Sequence, residues 1–237
     1  MYTYLLLDIL ILAFPLALSF DKKVAFYKKW KYIWPGILVN LFVFLPWDMV
    51  FSSIGIWGFT PEYNLGLTLF YLPFEEYLFF LVVPYAAIFI YACAEVYITK
   101  DFLFRFRKLI AWLIILGALT LYGFHSEHLY TATASLFLSF GLLMILLSGR
   151  NLFLGRFFMT YLLILTPFLI FNGILTGLPV VWYNDVENMG IRLMHIPLED
   201  LFYTMGMLLI PIGFYARLSR RGVSGSRLSA EAINEGE

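Results

Sequence analysis

The chain of 237 residues is 62% hydrophobic and 20% aromatic, with 14% charged residues and a mean hydropathy of +0.83. Sixteen basic residues balance sixteen acidic ones. That leaves too little polar surface to coat a soluble globule, excludes a disordered chain and gives no basic excess for nucleic acid. The composition therefore predicts a polytopic membrane protein. Cys93 is the single cysteine and sits in an apolar run as a small hydrophobe would. No Cys/His cluster is read as a metal site, and no metal is expected.

A span needs about 20 mostly apolar residues. In chain order the sequence offers seven, at 2–20, 33–51, 74–97, 109–124, 128–148, 157–178 and 197–216. The first lacks the basic flank of a secretory signal and is read as a permanent span. Only the turn from His125 to His128 separates the fourth from the fifth. From 221 to 237 the chain is polar and Ser/Glu-rich and is expected to form a flexible tail. If the spans alternate, fifteen of the sixteen basic residues fall on one side, with Arg192 the exception. The positive-inside rule then places the C-terminus in the cytoplasm and the N-terminus outside, in a multi-pass cell-membrane protein.

The chain repeats itself at an offset of 124 residues. Pro73-Phe74-Glu75-Glu76 lines up with Pro197-Leu198-Glu199-Asp200, Asn64 and Gly66 with Asn188 and Gly190, and Asp48 with Asn172. Between 64 and 92 there are eight identities in 29 positions, and they include Asn, Gly, Pro and Glu, which are rare in apolar segments. The predicted architecture is an all-α integral membrane fold of seven transmembrane helices. Two parallel three-helix repeats, 1–100 and 128–220, are joined by a linker helix within 101–127. An offset of four spans makes the repeats parallel, so a shared site belongs between them.

Carboxylates inside spans are costly and mark function by default. Asp48, Glu75, Glu76, Glu199, Asp200 and Asp8 all fall in one outer layer, with Asn172. Proline followed by acids is also an ordinary helix start. Two copies of it, joined by Asp48 and Asn172, favour a shared site instead. Residues 75 and 76 point about 100° apart on a helix. Glu recurs identically at 75 and 199, so those two are expected to face the centre. A buried carboxyl kept neutral there is a proton donor. Aromatic residues crowd the same layer. Trp47, Phe79, Phe80, Phe202 and Tyr203 are read as a π-lined pocket for a cation, and Trp57 and Trp182 as members of an interfacial belt.

These residues resemble the heterodimer-type lycopene cyclase domain family of carotenoid synthesis. The resemblance rests on Pro73-Phe74-Glu75-Glu76 with Phe79-Phe80, and on Pro197-Leu198-Glu199-Asp200 with Phe202-Tyr203. Trp47-Asp48, Phe171-Asn172-Gly173 and Tyr183-Asn184 add to it. It covers residues 1–216 and looks like the fused form with both units. It implies proton-initiated, non-redox cyclisation of the linear ends of lycopene to β-ionone rings, giving γ-carotene and β-carotene, by an isomerase that needs no flavin or other cofactor. The substrate would be a carotenoid dissolved in membrane lipid, and the oligomeric state, homo-oligomer included, stays open. Glu75 or Glu199 would donate the proton. Asp48 would be a third candidate for acid or base, Glu76 and Asp200 would tune the donor or act as base, and Asn172, Asn184 and Asn188 would hold the carboxyls. The rival readings are a carotenoid hydratase, in which water captures the same cation, and a small three-one-three transporter.

Overall fold

A computed structural model describes residues 2–234, with side chains through residue 220. The chain is mostly helical. In order it forms α1 (Thr3–Leu18), a 3₁₀ segment (Phe26–Tyr32), α2 (Trp34–Ser53), α3 (Phe74–Tyr97), α4 (Arg107–Phe124), α5 (Leu129–Leu147), α6 (Leu154–Gly177) and α7 (Glu199–Asn234). Short strands lie between α2 and α3, namely β1 (Trp57–Phe59), β2 (Thr68–Leu69) and β3 (Leu72–Pro73). Between α6 and α7 lie β4 (Val181–Tyr183), β5 (Arg192–Leu193) and β6 (Ile196–Pro197).

Six helical stretches are long and apolar enough to cross a membrane: α2, α3, Phe104–Phe124, α5, Asn151–Gly177 and Glu199–Arg220. The first expected span differs. At 16 residues α1 reaches about 24 Å at 1.5 Å per residue, short of a hydrocarbon core of about 30 Å. The backbone of α7 runs helically to Asn234, so helix occupies much of the region expected as a tail. Residues 235–237 lie outside the described residues.

The helices share one core. Ile37 and Phe44 of α2, Ile88 and Tyr91 of α3, Leu138 and Leu142 of α5, Phe157 of α6, and Leu208 and Tyr215 of α7 are all fully enclosed in it. Outward faces are apolar too. Phe42, Leu113, Leu116, Phe140 and Leu162 are all exposed. A surface of that kind suits lipid rather than water. α4 packs against α5, α1 against α3, and α2 against α7. The low amphipathicity of α1, α2, α3 and α5 has a simple cause, since both lipid and core ask for apolar side chains.

The segments before α3 and α7 fold alike. β2 pairs with β3 through Thr68–Pro73 and Leu69–Leu72, and β5 with β6 through Arg192–Pro197 and Leu193–Ile196. Each pairing lies 124 positions from the other. In both, Asn accepts from a glycine amide two residues on: Gly66 N–H to Asn64 Oδ1 at 2.8 Å, and Gly190 N–H to Asn188 Oδ1 at 2.7 Å. Both glycines have positive φ, which a side chain would strain. β1 and β4 pair antiparallel with each other. Gly58 lies opposite Trp182, its own counterpart 124 residues on, so the two segments meet about a local two-fold.

Candidate active site

The first acid of each pair belongs to the loop rather than to the centre. Glu75 opens α3 and its Oε1 accepts from the Leu65 amide at 2.7 Å. Glu199 opens α7 and its Oε1 accepts from the Met189 amide at 2.7 Å and the Thr131 hydroxyl at 2.6 Å. The expectation that Glu75 and Glu199 face the centre is therefore reversed. Each turns back to clamp an amide that the Asn–Gly turn presents, which is why Asn, Gly and Glu recur together.

The second acid of each pair faces inward. Glu76 and Asp200, with Asp48 from α2, line one small cavity of about 60 Å³ between the halves. Asp48 Oδ1 accepts from Trp57 Nε1 at 2.5 Å and from Ser52 Oγ at 3.4 Å. Its Oδ2 meets no N–H or O–H donor among the described residues. The Asp48 and Glu76 carboxyls are neighbours in this cavity that interact electrostatically. Two carboxylates offer only acceptors, so only a proton on one of them could join the two by a hydrogen bond. The Tyr4 hydroxyl donates to Glu76 Oε2.

Asp200 sits among donors instead. Tyr130 Oη donates to Oδ1 at 2.6 Å, while Asn172 Nδ2 at 2.8 Å and Tyr183 Oη at 3.0 Å donate to Oδ2. Three such bonds stabilise an anion. Burial, and then the charge of Asp200, pushes the Tyr183 hydroxyl up from its usual range, which keeps it a donor. Asp185, at the surface beyond β4, is held below the ordinary carboxylate range by its hydrogen bond from Arg192.

Aromatic residues line the cavity. Trp57 lies 5.1 Å from Tyr130 and 6.0 Å from Tyr203, centroid to centroid. Trp57 is buried, which corrects its reading as a belt residue, whereas Trp182 is exposed. Of the expected pocket residues, Phe79, Asn172 and Tyr203 line the cavity. Trp47, Phe80 and Phe202 stand behind it in the aromatic packing. Asn184 and Asn188 are loop residues: Asn188 Nδ2 donates to the Asn184 carbonyl at 3.1 Å, and neither lines the cavity. Asp8 is buried on α1 and also lies outside the lining. At the α4–α5 turn, where no metal was expected, His125, Glu127 and His128 bring ligand-type atoms within 4.8 Å of one another. One of those rings is engaged, since His128 Nδ1 lies 2.8 Å from the Val186 carbonyl oxygen.

An apolar groove of about 450 Å³ leads to the acids. Leu10, Ile11 and Phe14 of α1 form one wall, Val83, Ala86 and Ala87 of α3 the floor, and Ile164 and Pro167 of α6 the other wall. Phe79, Phe168, Asn172, Leu175 and Thr204 belong to both spaces and join them. Leu10 and Phe14 are exposed at the mouth.

Sequence reasoning missed Tyr4 and Tyr130, which hold Glu76 and Asp200. They lie 126 positions apart rather than 124. A gapless comparison steps past them, and a two-residue shift in the α1/α5 alignment reveals the pair.

Fold and site together define an integral membrane protein whose helices enclose an acid-lined, aromatic pocket at the end of an apolar groove. A family model described as lycopene cyclase matches residues 1–94 and 127–218. The chain belongs to the lycopene cyclase family, and so to the enzymes of carotenoid cyclisation. Neither curated proteins nor solved structures gave a match.

Proposed function

We propose that this protein is a lycopene β-cyclase in which the Asp48–Glu76 pair supplies the proton and Asp200 receives one. The observation that carries this is the contrast between the carboxyls in one cavity. Asp48, with one oxygen that meets no donor, lies beside Glu76, and the other carboxyl is surrounded by donors. Groups with opposite environments in one site divide the roles of acid and base.

A linear end group enters along the apolar groove. The pair's proton adds to the terminal double bond, whose π electrons form the new C–H bond. The tertiary cation left behind is attacked by the next internal alkene, which closes the ring. The ring cation then loses a C–H proton to Asp200, and that electron pair becomes the ring double bond. Nothing is oxidised or reduced, so the reaction is an isomerisation for which redox-cofactor chemistry is not obligatory. Release of the Asp200 proton to water, and reprotonation of the pair from water between turnovers, resets the site. The faces of Trp57, Tyr130 and Tyr203 stabilise the cation. Dryness also matters, because water would trap the cation as an alcohol.

This reading assigns Glu75 and Glu199 to positioning rather than to proton transfer. It also takes α1 as the seventh span, its shortness met by local thinning of the bilayer. The chain is then two parallel three-helix repeats, α1–α3 and α5–α7, with α4 between them. The N-terminus lies outside and the C-terminus in the cytoplasm, following the basic loops. The acids accordingly lie in the outer half of the bilayer, and the substrate is drawn sideways from lipid.

The full-length protein in phospholipid vesicles loaded with unlabelled lycopene and suspended in deuterated water tests the function. The expected product has the mass of lycopene plus one retained deuterium per ring. Unchanged lycopene, or a product one water heavier, would refute cyclisation.

A further inference from the structure

The groove lies on one side of a bundle whose halves otherwise correspond, and the corresponding space on the other side is filled. Its counterpart wall is built by α5, α7 and α2. There, Ile11 is replaced by Phe137, using the two-residue shift that Tyr4 and Tyr130 define. The Phe137 ring packs 5.0 Å from Phe44 and 5.2 Å from Trp47. Gly206 makes that possible, since a Cβ there would lie 3.0 Å from Phe137 Cδ1, and its counterpart in the open half is Val82. Phe168, on the groove wall, corresponds to Phe44, which is wholly buried 5.3 Å from Tyr203. Further from the acids, Gly36 lets α2 touch the α7 backbone. A Cβ at 36 would lie 2.8 Å from Pro211 Cα, whereas Ala87, the counterpart of Pro211, lines open groove.

The acids repeat this one-sidedness. Asp48 and Glu76 form a carboxyl pair, but their counterparts Asn172 and Asp200 form an amide–carboxylate hydrogen bond that needs no shared proton. In the cavity that the groove reaches, Trp57, Tyr130 and Tyr203 pack against one another.

Resting on the cyclase reading, we infer that the protein cyclises one end of its polyene per binding event, through this one groove. A monocyclic carotenoid therefore leaves into the bilayer and returns reversed before any second ring forms. Each visit protonates one alkene carbon, forms one ring C–C bond and releases one ring proton, and the two visits are chemically independent.

The test uses the full-length protein in phospholipid vesicles loaded with isotopically labelled lycopene, chased after a short pulse with excess unlabelled lycopene. Monocyclic product should accumulate to several molecules per protein molecule. The chase should strand the label at that stage, lowering labelled bicyclic product roughly in proportion to the dilution. Labelled bicyclic product in undiminished yield after the chase would overturn the inference. A second arm uses Ala86→Phe, which obstructs the groove, with lycopene and a monocyclic carotenoid supplied separately. Both ring closures should slow by the same factor. Retention of one of them at the unmodified rate would reveal a second route and overturn the inference. If the unmodified protein forms no ring from lycopene, the cyclase reading itself falls.

Discussion

Asp48→Asn separates proton supply from architecture, because the protein already carries this replacement at Asn172. In the variant, Trp57 Nε1 still has a side-chain oxygen to donate to. The new amide can donate to Glu76 as Asn172 donates to Asp200 at 2.8 Å. The buried hydrogen-bond inventory stays matched, so stability should change by no more than about 1 kcal/mol. What disappears is the carboxyl that shares a proton with Glu76. A positioned general acid is worth roughly 10²–10⁴ in rate, or about 3–5 kcal/mol of barrier.

The expected outcome is a correctly inserted protein, melting close to the unmodified one, whose initial rate of ring formation falls by that factor. Chromatography of pigments from vesicles loaded with lycopene measures the rate, and a thermal melt in detergent measures the fold. Cyclisation within about twofold of the unmodified rate would show that the Asp48–Glu76 contact is not the proton source. A collapsed melt would instead show that the shared proton holds the two halves together, contrary to the matched inventory argued above.

Asp200→Asn should slow ring formation by about 10²–10⁴ and raise the fraction of product carrying an added water, read by mass, because the cation then outlives its base. Glu75→Ala should cost about 1–3 kcal/mol by leaving the Leu65 amide unmet, with a smaller effect on rate than Glu76→Gln; equal rate losses would count against the division of roles within the pair. Asp185→Asn should change stability by less than about 1 kcal/mol, since the Arg192 pair is exposed. The sign of its pH dependence follows from a folded pKa below the unfolded value of about 3.9. Its contribution is complete above that unfolded value and is lost as pH falls through the folded one, so melts above pH ~5 should show no dependence on this pair.

Spans were legible because lipid imposes a composition that no soluble fold tolerates, and six of the seven expected segments form helices of crossing length. α1 was overestimated because hydropathy reads through Ser19 and Phe20, where the chain turns out of the helix. Similarly, Asp48, Glu76 and Asp200 were legible as candidates from cost alone. Their orientation was not, because the choice between residues 75 and 76 depends on a loop that closes back on the helix start. Leu65 and Met189 present amides there, and main-chain donors leave no mark on side-chain pattern. Asn184 and Asn188 were misplaced for the same reason, being polar in order to fold a turn. Trp57 was read as an interfacial residue because its strand pairing with Tyr183, which carries it inward, joins segments more than a hundred residues apart.

The recurrence of Glu at 75 and 199 was taken as the mark of the reacting group, but both side chains bind loop amides, and the proposed reading gives the reaction to other acids. In a chain built from two similar units, whatever each unit needs to fold must appear twice, so identity between halves tracks the scaffold: Asn64 and Asn188, Gly66 and Gly190, Glu75 and Glu199. A reaction that moves a proton from one carboxyl to another cannot be symmetric, because acid and base must differ. On the proposed reading, the residues that carry it are those at which corresponding positions disagree: Asp48 against Asn172, Glu76 against Asp200, and Ile11 against Phe137 at the groove. Swapping one such pair, Asp48→Asn with Asn172→Asp, tests the point. Exchange moves the carboxyl contact to Asp200 while Phe137 still fills the space beside it. The swapped protein should fold and yet remain at least about tenfold below the unmodified rate. Full activity would show that the acid pair alone, without the groove on its own side, defines the site.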